Sequence, residues 1–222
     1  MKLDSLRQVI QDRRTLKVLA DPESPWEAPD PAVRDRLAEL LQAASHAPFH
    51  YPADQSHRTE PLTSPVPWRF HVLDGEACRR LLERLLSEDI ESGKIANMLA
   101  AADALVLATW LPDPQEPALA FQEFAPTLRN MEHIAAASAA VQNLLLLATA
   151  VGSNNYWSSG GVLRSERVYD WAGIDPKQIM LGAVFLFPQD TGTADAKPGA
   201  NRGRQGPAPS WLRWADLKQP AG

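Results

Sequence analysis

No glycine occurs before Gly75, so no glycine-rich phosphate loop can lie in the first third of this 222-residue chain. A single cysteine, Cys78, excludes an intramolecular disulfide and any multi-cysteine metal cluster. Basic residues (22) are fewer than acidic ones (27), and the net charge of −5 rules out a chain-wide basic field for nucleic acid. The N-terminus has no apolar stretch free of charges, so it does not read as a secretory signal. Long hydrophobic runs are also scarce. The one long uncharged run, Ile134 to Val151, approaches the length of a membrane span, but it carries Ser138, Gln142, Asn143 and Thr149 and is mostly alanine in its first half. The expectation is a soluble, cytoplasmic protein with no membrane and no nucleic-acid partner.

Hydrophobic residues at 45% and charged residues at 22% are enough for an ordinary globular core. Leu3 to Arg14 places Leu3, Leu6, Val9 and Ile10 at helical spacing. Asp30-Pro31 reads as a helix start, followed by an apolar face of Val33, Leu37, Leu40, Leu41 and Ala44 that should stop before Pro48. Phe49 to Pro67 is a long, proline-rich irregular segment, and such a loop is usually functional or mobile. Trp68–Leu73 alternates as a strand does, and Gly75 opens a helix to about Ser87. Asp103 to Trp110 reads as a buried strand and Pro117 to Asn130 as a helix broken at Pro126. Glu132 to Val151 is the strongest helix signal, closed by Gly152. Ser153 to Trp157 reads as a short strand, Glu166 to Ala172 as a short helix, and Ile179 to Phe187 as a central strand. The composition after Gln189 turns to glycine, proline and charge. This pattern implies an α+β layer architecture. The division is one domain over 1–190, with a proline-rich insertion at about 51–66, and an irregular C-terminal tail over 191–222.

The chemistry-bearing residues form few constellations. Five histidines are present, but Pro48 between His46 and His50 prevents a shared helical face, and no His-Glu-x-x-His pattern occurs. No metal site is expected. Cys78 precedes Arg79 and Arg80, yet it sits on an amphipathic helix where a lone cysteine is a packing residue. Ser158-Ser159-Gly160-Gly161 lacks the form of a nucleophile elbow. Arg13-Arg14-Thr15-Leu16-Lys17 supports two readings. It can offset a helix C-terminal dipole, which by itself is the plainer reading, or its three cations and one hydroxyl can hold a phosphate. The 134–151 helix has almost no polar face, so it must be buried in a core or against a second copy. Its small-residue half, Ala135 to Ala140, allows close approach of another backbone.

Taken in order, these segments resemble the FMN-dependent nitroreductase family. The first match is Arg13-Arg14-Thr15-Leu16-Lys17, with Thr15 in place of the usual serine. The second is Ala47-Pro48 with His50, followed by Pro67-Trp68-Arg69-Phe70. The third is the alanine-rich helix with Gln142-Asn143, ending at Gly152 and followed by Tyr156-Trp157-Ser158-Ser159-Gly160. The fourth is Leu181 to Pro188. The resemblance implies a mixed sheet flanked by helices in an intertwined homodimer, with FMN at the subunit interface. It also implies that Arg13, Arg14, Thr15 and Lys17 meet the flavin phosphate, and that Trp157, Ser158 and Ser159 lie beside the ring. His46 and His50 would reach the flavin from the other subunit. His57-Arg58-Thr59-Glu60-Pro61 is a second partial match inside the insertion, so either His50 or His57 can fill that role. Arg202 and Arg204 in the tail stand where some members supply phosphate-binding cations.

The implied activity is an NAD(P)H-dependent flavin oxidoreductase with no catalytic side chain. Hydride would pass from NAD(P)H through the flavin to an electron-poor acceptor, such as a nitroaromatic or quinone, by a ping-pong scheme. A non-catalytic flavin-binding or dimeric interaction protein on the same scaffold is the alternative from another class, and the proline-rich insertion favours it. A yellow protein that oxidises a reduced nicotinamide separates the first from the second.

Overall fold

Leu3, Leu6, Val9 and Ile10 recur every three or four residues, and they produce helix α1 (Leu3–Asp12). The helix stops two residues short of Arg14, because the chain turns at Arg13 into strand β1 (Leu16–Leu19). The computed structural model describes residues 3–29, 32–192, 194–215 and 217. The expected cap at Asp30-Pro31 lies outside the described residues. Helix α2 (Ala32–Ala44) follows and ends ahead of Pro48.

Strand β2 (Trp68–Asp74) runs directly into α3 (Gly75–Ser87), whose first turn is capped by the Asp74 carboxylate accepting from the Ala77 amide. Helix α4 (Lys94–Ala101) leads to β3 (Ala104–Trp110). Helix α5 (Leu128–Ala150), β4 (Asn154–Ser158), α6 (Glu166–Ala172), β5 (Ile179–Phe187) and β6 (Asp195–Pro198) complete the order. Strands β2-β3-β5-β4 form one antiparallel sheet, and β1 and β6 form a second, antiparallel pair.

The central strands β3 and β5 are covered on both faces, so they read as continuous apolar runs. Leu105 and Leu107 of β3 turn to one side, with Phe185 and Phe187 of β5, and meet α3, α4 and α6. Ala104, Val106 and Ala108 turn to the other side, with Val184 and Leu186, and meet α2 and α5. The period-two alternation of β3 thus feeds two cores at once. Helix α4 escapes sequence detection because it is short and nearly all apolar, with no charged face to mark a period. β1 and β6 escape for the opposite reason: they are short, half-exposed strands that exist only because they pair with each other.

Two expectations change. Residues 117–127 are not helical, and the helix begins only at Leu128. Gln122 takes a left-handed backbone (φ 65°), and its side chain is held by Tyr169 and the Met180 amide, so tertiary anchoring overrides helix propensity. Asn130 fixes this segment at both ends, accepting from the Asp113 amide and donating to the Ala125 carbonyl. Helix α5 is also not enclosed on all sides within one chain. Ala136 and Ala140 face the protein's own core beside Trp68, Trp110 and Ile179. Leu128, Met131, Ala135 and Gln142 form an exposed stripe instead. α5 is long and apolar enough to cross a membrane by length and composition alone, and 44% of its most apolar window is buried inside the chain.

The 49–67 segment is ordered around one side chain. Arg69 is 5% exposed, and its guanidinium donates to five backbone carbonyls, those of His57, Leu62, Ser64, Val66 and Trp68. Buried carbonyls left without donors are costly, so one planar fork of N–H groups stabilises a loop that has almost no secondary structure of its own. Arg69→Leu should lower stability by about 2–4 kcal/mol and expose 51–66 to proteases. Arg69→Lys should recover little, because an ammonium cannot span the same set of acceptors. Limited proteolysis with mass mapping reads the outcome, and unchanged cleavage in Arg69→Leu would show that the loop stands without the fork.

Candidate functional site

The basic segment after α1 lies against the edge of the main sheet. Thr15 forms a parallel bridge with Asn155 on β4, and the Lys17 Nζ sits 4.8 Å above the centre of the Tyr156 ring. On its other side β1 pairs with β6, in the register Leu16 to Pro198, and the Gly199 amide donates to the Thr15 carbonyl at 2.9 Å. That pairing delivers the tail: the Arg202 guanidinium donates to the Arg13 carbonyl at 2.5 Å. Arg204 lies in the same short 3-10 turn as Arg202.

The result is a concentration of like charge. Arg13 is half-buried, and its guanidinium reaches the Thr15 hydroxyl at 3.5 Å. Its pKa is held below the usual arginine value, first by burial and then by the positive charge of Arg202. Arg14 is exposed and Lys17 half-buried. Among the described residues, no carboxylate forms an ion pair with Arg13, Arg14, Lys17 or Arg202. Cations held together without a counter-charge favour an anion, and a phosphomonoester suits the guanidinium forks and the Thr15 hydroxyl.

β4, which Thr15 and Lys17 meet at Asn155 and Tyr156, ends in a turn. Trp157 is half-buried, Ser158 buried and Ser159 exposed. The indole crosses β5 at Gly182, where any Cβ would lie 2.2 Å from the Trp157 Nε1 and 2.6 Å from the Ser158 carbonyl oxygen. Only glycine permits that crossing. The Ser158 hydroxyl accepts from the Gly160 amide at 3.2 Å, and Gly160 adopts φ 110°, a conformation closed to ordinary side chains.

Arg164 then locks the turn. Its guanidinium donates to the carbonyls of Ser159 (2.5 Å), Met180 (2.6 Å) and Leu181 (3.1 Å). Burial lowers its pKa, while the neighbouring Tyr169 acts in the opposite direction. Sequence reasoning missed this residue. Its partners are backbone carbonyls, which carry no sequence signature; the one available signal was an arginine three residues after the Ser159-Gly160-Gly161 turn.

The chain therefore brings Thr15 and Lys17 to β4, the strand that carries Trp157 and Ser158, and brings Arg202 to Arg13; among the described residues no hydrogen bond or ion pair joins Arg13 or Arg14 to Trp157, Ser158 or Ser159. It does not bring His46 and His50 to them. Both histidines are exposed, and His50 Nδ1 lies 3.1 Å from the Glu132 carboxylate on α5. Among the described residues, no hydrogen bond or ion pair links either one to the cation cluster. His57 is buried, with Nε2 2.7 Å from the Pro112 carbonyl.

The other candidates have structural duties. Cys78 is fully buried, and desolvation pushes its thiol up to about 12, so no thiolate forms near neutral pH. His71 bonds Gln178, and burial lowers its pKa. Among the described residues, no group of three or more His, Cys, Asp or Glu side chains is placed to hold a metal.

Comparison with known proteins can now be set beside this geometry. No curated protein matches the chain. Solved structures do. A nitroreductase-like family protein from Bacillus cereus is 23% identical with a TM-score of 0.65, covering 98% of this chain and 99% of that one. A nitroreductase with bound FMN from Desulfitobacterium hafniense is 14% identical with a TM-score of 0.53, covering 97% of this chain and 100% of the other. Likeness at these identities establishes the fold. The family itself rests on a model of the nitroreductase family that matches residues 28–186, most of the length, and the chain therefore belongs to the nitroreductase family.

Proposed function

We propose that the protein is an FMN-dependent oxidoreductase that passes hydride from NAD(P)H to an electron-poor small molecule, such as a nitroaromatic or quinone. The observation that carries this reading is the cluster of Arg13, Arg14, Lys17 and Arg202, without an ion-pair partner among the described residues, around the β1 strand that bridges β4. The nitroreductase family and the FMN in the Desulfitobacterium neighbour support it. Bound FMN would supply the two-electron chemistry, and the chain supplies position and field. Arg13, Arg14 and Lys17 would hold the phosphate, with the Thr15 hydroxyl as a further ligand. Trp157, Ser158 and Ser159 would line the ring edge, and Arg164 keeps the Ser159 carbonyl from swinging into that space. No side chain is needed as a nucleophile, and the donor and acceptor would use one ring face in turn. We place the protein in the cytoplasm.

The cluster lies on an open sheet edge, and a second copy of the chain completes it in this reading. The exposed stripe of α5 and the exposed Leu3, Leu6 and Ile10 of α1 are apolar surface without cover in one chain. Burying them in a homodimer would also carry His46 and His50 of the partner subunit toward the flavin.

Three experiments test these statements. Arg14→Ala should weaken FMN binding by about ten- to a hundred-fold, the scale of one lost charge-assisted contact at roughly 1.5–3 kcal/mol. Flavin fluorescence titration measures it, and wild-type affinity would remove Arg14 from the site; a wild-type protein that refuses FMN altogether would favour the non-catalytic reading.

Placing a charge on the open stripe, as Ala135→Glu or Met131→Arg, should yield monomers that have lost FMN, while Gln142→Ala should leave the dimer intact. Sedimentation and the visible spectrum report both properties. A wild-type monomer that retains flavin would overturn the shared site.

Varying NAD(P)H at several fixed acceptor concentrations should give parallel double-reciprocal lines. Intersecting lines would mean that donor and acceptor bind together, and the one-face scheme would have to be abandoned.

A further inference from the structure

A cavity of about 760 Å³ contains none of the cation-cluster or turn residues. It opens between the 55–57 turn of the insertion, the irregular 112–124 segment and α6. Its volume is within the range of small-ligand sites. Its chemistry is the inverse of the cation cluster. Phe121, Phe124 and Tyr169 line it, each fixed in an edge-to-face aromatic pair: Phe121 with Tyr169 at 5.1 Å, and Phe124 with Trp110 at 5.0 Å.

Glu116, Glu123, Glu166 and Asp170 line it as well, and among the described residues none of the four has an ion-pair partner. Asp113 is already paired with Arg129 at 3.1 Å, and Lys177 is the lysine at the wall. Glu166 and Asp170 stand one turn apart on α6, an arrangement in which like charges repel. A cation between them relieves that repulsion.

His57 also stands at the wall. His57 is 7% exposed, and its Nε2 lies 2.7 Å from the Pro112 carbonyl. A carbonyl can only accept, so Nε2 is the donor in that bond and the other ring nitrogen, Nδ1, is left over. No hydrogen bond engages that nitrogen among the described residues.

We propose that this cavity is a binding site for a small organic ammonium ion with an apolar body. The aromatic side chains take the cationic head by cation–π attraction, the unpaired carboxylates supply the counter-charge, and the His57 Nδ1 accepts an ammonium N–H. Phosphates and carboxylates are repelled, so this site and the proposed flavin site sort ligands by sign. The cavity also communicates with the turn. Gln122, at its wall, accepts from Arg164 at 3.4 Å and from the Met180 amide at 3.1 Å, and donates to the Tyr169 hydroxyl at 2.9 Å. The proposal goes beyond the flavin reading and does not depend on it.

The test is calorimetric titration of the full chain with benzylammonium, benzyl alcohol and benzoate, at low salt and pH 7. Benzylammonium should bind with one-to-one stoichiometry, roughly ten-fold or more tighter than benzyl alcohol, the scale of a desolvated cation–π contact. Benzoate should not bind. Glu166→Gln combined with Asp170→Asn should abolish the preference for the cation. Glu88→Gln, which removes a carboxylate outside the cavity, should leave it unchanged. A flavin titration of the same variants separates the two readings, since the cavity pair should not alter FMN affinity. Equal affinity for the amine and the alcohol, no binding of either, or an undiminished preference in the double variant would each overturn the site.

Discussion

The pairing of β5 with its two neighbours fixes where a site can form. β5 is held by β3 on one side and β4 on the other, so its interior positions have no freedom to shift. At Gly182 the absence of a side chain lets Trp157 cross the strand, and the next residues of β4 then leave the sheet as the Ser158–Gly161 turn. Arg164 binds the carbonyls on both sides of that crossing, Ser159 on the turn and Met180 and Leu181 on β5. A slip of one residue would exchange every face and carry Trp157 away from the cation strand. β1 depends on the same edge, since its bridge from Thr15 reaches Asn155 on β4.

Charge is distributed to match this geometry. A net charge of −5 conceals a basic edge and an acidic cavity. The basic edge is assembled from both ends of the chain, because the β1–β6 pair brings Arg202 to Arg13. Neither end would hold an anion well alone. Backbone hydrogen bonds between β1 and β6 hold the two guanidiniums near each other despite their repulsion. The carboxylates of α6 and of the 112–124 segment line a cavity that contains none of these cations.

Helix α5 shows how one element serves two purposes. Its buried face, with Ala136, Ala140 and Leu144, completes the chain's own core. Its N-terminal end organises the loops around it: Arg129 pairs with Asp113 and donates to the Pro52 carbonyl, and His133 meets the Leu111 carbonyl. The open stripe remains for another surface. A helix whose second half is mostly alanine and leucine is thus shared out by direction, and composition alone cannot assign those directions.

The sequence by itself determined the α+β class, most of the element order from α1 to β5, and the grouping of cations in the Arg13–Lys17 segment. Those features are local: apolar periodicity, cap residues, and cations grouped within five positions of Arg13. Tertiary structure decided the rest. Gln122's contacts, not its neighbours' propensities, kept 117–127 out of a helix. Arg69 ordered a segment that reads as a loose loop, because its partners are carbonyls that any sequence possesses. The side of α5 that faces the core was open to either choice until β2, β3 and β5 placed Trp68, Trp110 and Ile179 beneath it. Arg202 reached Arg13 across most of the chain length, and Arg164 found its acceptors on two strands. Such long-range backbone contacts leave no periodic trace, and only the folded chain shows which cations are left without a counter-charge.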